Sequence, residues 1–338
     1  MKTILVTGGA GYIGSHTAVE LINAGYEVII ADNLSNSKET AVRRIGEICG
    51  KQPIFYKSDI LDRAAMDKIF ASHKIDAVIN FAGLKAVGES VEKPLEYYHN
   101  NISGILVLLE AMRAAGCKNI IFSSSATVYG KPERVPVTED FPLSTTNPYG
   151  STKLFIEYIL KDLYNSDKSW NIGILRYFNP VGAHESGLIG EDPNDIPNNL
   201  CPYVTKVAIG KLPYVRVFGN DYATPDGTGV RDYIHVVDLA KGHVLAAAKL
   251  FENSGLYIVN LGTGKGYSVL DVIRSFSKAL GKDIPYKFAP RRAGDVDACY
   301  ADPSLAKKYL GFVAEKNLDD MCRDQLNWQI KNPDGYVE

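Results

Sequence analysis

The chain has little of what marks a membrane, secreted or metal-binding protein. No apolar run approaches the roughly 20 residues of a membrane span. Neither charge dominates: 37 Lys and Arg stand against 39 Asp and Glu in 338 residues, a net charge of −2. That balance gives no electrostatic reason to expect nucleic acid or an anionic membrane as partner, though it leaves room for a local basic pocket. Cysteine is sparse. Cys49, Cys117, Cys201, Cys299 and Cys322 are odd in number, scattered and without a CxxC pair. This argues against a disulfide framework or a clustered zinc site and favours a reducing compartment. The six histidines include no HExxH. The opening MKTILV is too short an apolar stretch for a signal peptide, and no small-residue cleavage site follows. The expectation is a cytoplasmic protein without metal. What is present, 46% hydrophobic and 22% charged residues, is ordinary for a globular enzyme with a large core.

Along the first half, apolar runs alternate with amphipathic stretches. Strands are predicted over 3–8, 27–32, 54–59, 77–83, 119–125 and 171–178, with helices between, notably 12–24, 94–115 and 148–164. Such alternation specifies a parallel, doubly wound sheet. The strands are apolar throughout, as strands covered on both faces are. After about Pro180 the character shifts. Residues 181–199, VGAHESGLIGEDPNDIPNN, are rich in Gly, Asn and Pro and read as a linker or substrate loop. Beyond them, helices near 200–210, 237–250, 268–280, 303–310 and 317–331 mix with strands over 214–218 and 257–262.

The first turn reads TGGAGYIGS. Gly8, Gly11 and Gly14 fall three apart between a strand and a helix. Glycines there allow a tight turn, close approach to a pyrophosphate and close helix–sheet packing. The helix N-terminus then offers free amides to phosphate. A plain tight turn would share the pattern, but the next strand ends at Asp32, where a carboxylate can bond the adenosine ribose. The same carboxylate repels a 2′-phosphate, so NAD is favoured over NADP. The predicted fold is α/β: a doubly wound parallel Rossmann sheet in residues 1–180 and a smaller mixed α/β substrate-binding domain in 181–338. A later segment has the means to rejoin the first sheet.

NPYGSTK (147–153) has a helix-capping Asn147, Pro148 in the first turn, and Tyr149 and Lys153 at i and i+4 on one face. Alone this is an ordinary helix start. NIIFSSSATVYG supplies a third partner, because that strand ends in Ser123, Ser124 and Ser125, and strand C-terminal ends face the ligand crevice. TGxxGxxG, a serine-rich strand end and YxxxK, in this order, resemble the extended short-chain dehydrogenase/reductase family. FAGLKAVGES, SSSATVYG, LRYFNPVGAH, GEDPNDIPNN and DGTGVRDYIHVVDLA narrow the resemblance, over essentially the whole chain, to the UDP-galactose 4-epimerases.

The resemblance implies an NAD-bound enzyme that interconverts UDP-glucose and UDP-galactose through a 4-keto sugar. Tyr149 would be the base. Its reference pKa of about 10 must fall by roughly 3 units, about 4 kcal/mol, for work near pH 7. A nearby Lys153 ammonium and the positive nicotinamide favour the anion. Lys153 is expected to bond the nicotinamide ribose, and Ser125 the sugar 4-oxygen. Further cofactor contacts implied are Tyr12, Ile13, Asn33, Asn36, Ser37, Asp59, Ile60, Phe81, Ala82, Gly83, Lys85, Asn100, Ser123 and Phe178. For Ile60 and Phe81, core packing is the competing account.

On the UDP-hexose side, the resemblance implies contacts from Asn179, Asn199, Leu200, Phe218 and Tyr233. Arg231 and Arg292 would neutralise the pyrophosphate, and Asp295 would bond the uridine ribose. Cys299 falls where this family carries either a bulky tyrosine or a small cysteine beside the sugar. The small residue predicts activity on UDP-N-acetylglucosamine and UDP-N-acetylgalactosamine as well; an alternative alignment sets Tyr300 at that wall. Sugar-nucleotide 4,6-dehydratases share the fold but need an acid beside the threonine of the serine-rich segment, which here reads Ala126, Thr127, Val128. A non-catalytic NAD-binding protein of this fold commonly lacks the tyrosine. The resemblance also implies a homodimer; the helices near 94–115 and 149–164 could pair across subunits through residues such as Leu106, Leu109 and Phe155, which could equally be core.

Overall fold

The computed structural model describes residues 1–192, 197, 199–292 and 295–337. Its first half runs β1 (Thr3–Thr7), α1 (Tyr12–Asn23), β2 (Glu27–Asp32), α2 (Glu39–Cys49), β3 (Ile54–Lys57), α3 (Arg63–Ser72), β4 (Ala77–Asn80), α4 (Val87–Glu92), α5 (Pro94–Tyr98), α6 (Gly104–Ala114), β5 (Asn119–Ser125), α7 (Pro148–Ser166) and β6 (Asn171–Tyr177). There follow β7 (Asn179–Val181), α8 (Leu200–Ala208), β8 (Val215–Phe218), β9 (Val230–His235), α9 (Val236–Leu250), β10 (Leu256–Leu261), β11 (Gly266–Ser268), α10 (Val269–Leu280), β12 (Tyr286–Ala289), β13 (Ala298–Cys299), α11 (Ser304–Leu310) and α12 (Leu318–Lys331).

Seven strands form one parallel sheet in the order β10-β6-β5-β4-β1-β2-β3. Side chains alternate across it. Ile4, Val6 and Ile79 join one core cluster, while Leu5, Val78, Ile120 and Phe122 join the cluster on the opposite face. Burying each such side chain contributes about 1.5–3 kcal/mol. The order turns back between β1 and β4, and in sheets of this kind ligands bind in the crevice at that switch point. Strand β10 comes from beyond Pro180 yet completes this sheet beside β6, and α9 packs on α1.

The remainder is built from short pieces. β9 pairs antiparallel with β11 and parallel with β13 and β7, while β8 pairs with β12. Around them α8, α10 and α12 enclose a third core containing Val204, Val217, Phe276 and Met321. The sequence announces no strand at β7, β9, β11, β12 or β13, because runs of two to six residues give no readable period.

The helical stretch expected over 94–115 runs unbroken from Pro94 to Ala114, but it is not α-helical throughout. Residues His99–Ser103 form a π-helical turn between α5 and α6. Insertions of this kind often mark functional positions. Here the turn lets Asn101 accept the Leu84 N–H at 2.8 Å and donate to the Leu84 carbonyl and to Thr152 Oγ1, both at 3.0 Å. It thereby holds the loop after β4 against α7.

Candidate active site

The glycine turn meets the physical demands of a dinucleotide cradle. Gly8 has φ +72°, and a Cβ there would lie 2.6 Å from the Ala82 amide nitrogen. A Cβ on Gly14 would run into the Gly8 carbonyl oxygen. Gly11 begins α1 with no side-chain cap, so the amides of Tyr12 and Ile13 remain free for an anion. Asp32, buried at the end of β2, accepts from Ala10 N at 3.0 Å, Leu34 N at 2.9 Å and Ser37 Oγ at 2.8 Å. A carboxylate offers about four acceptor positions, so Asp32 braces the turn and keeps capacity for a ribose hydroxyl. These residues fit NAD.

Around the cradle, Asn33 Nδ2 donates to Asp59 Oδ2 at 2.8 Å, and Asn36 is exposed beside Ser37. Asn100 Nδ2 donates to Asn101 Oδ1 at 2.9 Å. Ile60 is buried in the core, its side chain filling the space above Gly104, so its backbone alone is free to meet a ligand. Phe81 packs on the His243 ring at 4.8 Å, ahead of Ala82 and the exposed Gly83. Tyr12 directs its hydroxyl to the Gly182 carbonyl at 2.6 Å and packs edge-on to His16. Ile13 packs against the first core cluster.

At the end of β5 the catalytic candidates converge. Asn147 accepts the Gly150 amide at 2.8 Å and Pro148 occupies the first turn, so α7 starts as its sequence dictates. Lys153, one turn below Tyr149, is buried and donates to the Ser123 carbonyl at 2.7 Å. Ser125 Oγ accepts the Thr127 amide at 3.2 Å and reaches the Tyr149 hydroxyl. Burial pushes the Tyr149 pKa up, while the Ser125 hydrogen bond pulls it down. Burial also lowers the Lys153 ammonium to about 8. The expected depression of Tyr149 is therefore reversed in the protein alone: the Lys153 ammonium is turned to Ser123 and stands 5.8 Å from the Tyr149 ring centre. Phe178 lies next to this group in a small core with Val128, Tyr129 and Leu154.

The sugar-nucleotide candidates gather along β9 and β13. Cys299 pairs with Arg231 in parallel register. Arg231 donates to the Val230 and Val296 carbonyls at 2.9 Å and stands 3.5 Å from the Asp295 carboxylate. The Arg292 guanidinium stacks 3.9 Å from the Phe218 ring centre. Tyr233 is buried in the third core, against which Leu200 also packs. Asn179 and Asn199 are exposed. Part of the loop expected to meet substrate, 193–196 and 198, lies outside the described residues, as do 293–294.

Three groups carry signals that local reading does not reach. Tyr177 shares a hydrogen bond with Ser123. Glu157 and Arg176 form a buried ion pair behind the serines. Glu191, almost fully buried, accepts from both Lys85 Nζ at 3.2 Å and Asn199 Nδ2 at 3.3 Å, joining a cofactor candidate to a substrate candidate 106 and 8 residues away. Nothing in GEDP alone reveals those partners.

A chain built this way is similar, end to end, to the UDP-glucose 4-epimerase of Bacillus subtilis, at 61% identity over 333 residues covering 98% of both chains. The chain belongs to the UDP-glucose 4-epimerase family. The Dictyostelium discoideum member is 60% identical over 336 residues, covering 99% of this chain and 98% of its own. The family model described as GDP-mannose 4,6 dehydratase, to whose family the chain also belongs, matches residues 5–325. Among solved structures, the Bifidobacterium longum UDP-glucose 4-epimerase in complex with NAD+ and UDP superposes with a TM-score of 0.96 at 59% identity, covering 99% of this chain and 100% of that one. The UDP-Glc/GlcNAc 4-epimerase from Campylobacter jejuni superposes with a TM-score of 0.86 at 35% identity, covering 98% and 100%. As an epimerase of this family the chain keeps Tyr149, Ser125 and Lys153 together, and the turn after Ser125, Ala126–Tyr129, carries no carboxylate.

Proposed function

We propose that this chain interconverts UDP-glucose and UDP-galactose at C4 with bound NAD, the sugar passing through a 4-keto form. The observation that carries the reading is the convergence of Tyr149, Ser125 and Lys153 at the end of β5, two strands from the glycine cradle. Bound NAD supplies a hydride acceptor and donor at C4 and a positive ring beside the site. Tyr149 Oη removes the proton of the 4-hydroxyl and returns it. Ser125 Oγ holds the 4-oxygen and helps pass that proton. Burial alone opposes a phenolate, so the Ser125 hydrogen bond and a charged Lys153 must lower the Tyr149 pKa. Lys153 is still an ammonium at neutral pH, because its pKa lies near 8.

Gly8, Gly11, Tyr12, Ile13 and Gly14 seat the pyrophosphate of NAD, and Asp32 with Ser37 holds the adenosine ribose. Asn33, Asn36, Asp59 and Ile60 border the adenine side; Phe81 to Gly83, Lys85, Asn100, Ser123 and Phe178 line the path to the nicotinamide. Arg231 and Arg292 take the UDP pyrophosphate, with Phe218 and Tyr233 at the uracil, Asp295 at its ribose and Asn179, Asn199 and Leu200 along the substrate. Cys299, beside Arg231, leaves space for a 2-acetamido group, so UDP-N-acetyl sugars are substrates too. Residues 1–180 hold NAD and 181–338 hold the UDP-sugar, apart from β10 and α9. A homodimer in the cytoplasm completes the reading. Exposed Leu95, Leu106 and Phe155 on α5, α6 and α7 support the dimer face, whereas Leu109 is buried in the core and is withdrawn from it.

Proton NMR of the purified protein with UDP-galactose and UDP-N-acetylgalactosamine together tests this. Conversion of both to their gluco partners is expected. Conversion of UDP-galactose alone removes the acetamido claim, and conversion of neither, with NAD added, removes the epimerase reading.

A further inference from the structure

Glu157, Arg176 and Ser124 form a cluster that the proposed chemistry does not use. Ser124 on β5 lies opposite Arg176 on β6, so both side chains leave the sheet on the same face, toward α7. There Glu157 Oε1 accepts Ser124 Oγ at 2.6 Å and Arg176 Nε at 2.9 Å, while Oε2 accepts Arg176 Nη2 at 2.6 Å. Glu157 and Arg176 are essentially unexposed; Lys161 approaches Glu157 to 3.8 Å from the edge. Arg176 Nη1 continues to the Tyr129 hydroxyl at 3.0 Å and the Glu139 carbonyl at 3.1 Å, and Tyr129 donates to Asn260 Oδ1 at 2.6 Å.

Two consequences follow from position. Ser124 precedes Ser125, and Tyr129 ends the turn after it, so the cluster grips both flanks of Ser125. Glu157 also sits four residues beyond Lys153 and eight beyond Tyr149, on the same helix face. A bidentate guanidinium–carboxylate pair is directional in a way that apolar packing is not. A well-packed apolar replacement is often at least as stable, so stability is a weak reason for this pair to be here.

We infer that Glu157 and Arg176, with Ser124, are positioning residues that set the approach of Tyr149 to Ser125 by fixing the register of α7 against β5. This rests on the catalytic roles proposed for Tyr149 and Ser125. Replacing Glu157 strands a buried arginine and risks unfolding, so the decisive variant is Ser124→Ala, which leaves the ion pair intact. Its kcat for UDP-galactose is expected to fall about tenfold, with KM within about twofold and bound NAD unchanged. In the Ser124→Ala/Ser125→Ala double variant the two losses should not multiply, because one acts through the other. Full kcat in Ser124→Ala beside a crippled Ser125→Ala overturns the inference alone. Independent, multiplying losses also overturn it, as does loss of bound NAD in step with kcat. Full activity in Ser125→Ala overturns the assignment beneath it as well.

Discussion

In the proposed reading, the cofactor crevice and the sugar-nucleotide side each take a diphosphate, by different means. The crevice uses backbone: a glycine turn that excludes side chains, a free helix N-terminus and one carboxylate that braces the turn. The sugar side uses side chains, with Arg231 and Arg292 delivered from segments about 60 residues apart and steadied by Asp295 and Phe218. A backbone site costs little ordering at binding, whereas a side-chain site must order long residues each time. The first suits a group kept through many turnovers, the second one exchanged in each.

That contrast can be broken at several points. Tyr149→Phe stands between the two regions and carries the largest effect: kcat should fall by about a thousandfold or more, with NAD and UDP both still bound; retained turnover would remove Tyr149 as base. Gly8→Ala combines φ +72° with a Cβ pressed against Ala82. Copurified NAD should drop by about tenfold or more through strain of order 1–3 kcal/mol, while UDP affinity by calorimetry stays put. Loss of UDP affinity alone would reverse the division of labour. Arg292→Ala should raise KM for UDP-galactose about 10- to 100-fold, the worth of one charge-assisted contact, with kcat and bound NAD little changed; an unchanged KM would free Arg292 from the pyrophosphate.

Two further measurements sharpen the contrast. Cys299→Tyr should abolish conversion of UDP-N-acetylgalactosamine and spare UDP-galactose, since the change fills only the sugar end; loss of both, or of neither, contradicts the wall assignment. Acid should act on the crevice side. His16 on α1 and His243 on α9 are buried uncharged, with pKa values lowered by burial to about 3 and about 4. An unfolded chain takes up these protons near pH 6.5. Stability should therefore fall as pH drops below about 6.5, by about 1.4 kcal/mol per histidine per unit, until the folded values are reached. A urea midpoint unchanged between pH 7 and pH 5 would contradict it.

The crevice was legible in the sequence because its signals are local. The glycine spacing and Tyr149 four residues before Lys153 each fit within about one turn of chain, and Asp32 follows the glycines at the end of the very next strand. Much of the sugar side was not. Arg231 and Cys299 meet only because β13, two residues long, joins β9 in parallel, a pairing no periodicity announces. Leu109 fits either an interface or the core by its sequence, and the fold puts it in the core. Glu157 was hidden for the same reason: it is one more charged residue on a helix until Arg176, 19 residues on, is brought beneath it.

In the proposed cycle, C4 of the sugar gives up its hydrogen inside the site and receives that same hydrogen back. UDP-galactose deuterated at C4, incubated with the purified protein in ordinary water and followed by NMR, tests it most directly. The expected product is UDP-glucose with deuterium still at C4 through many turnovers. Replacement of that deuterium by solvent hydrogen at the rate of conversion would contradict it.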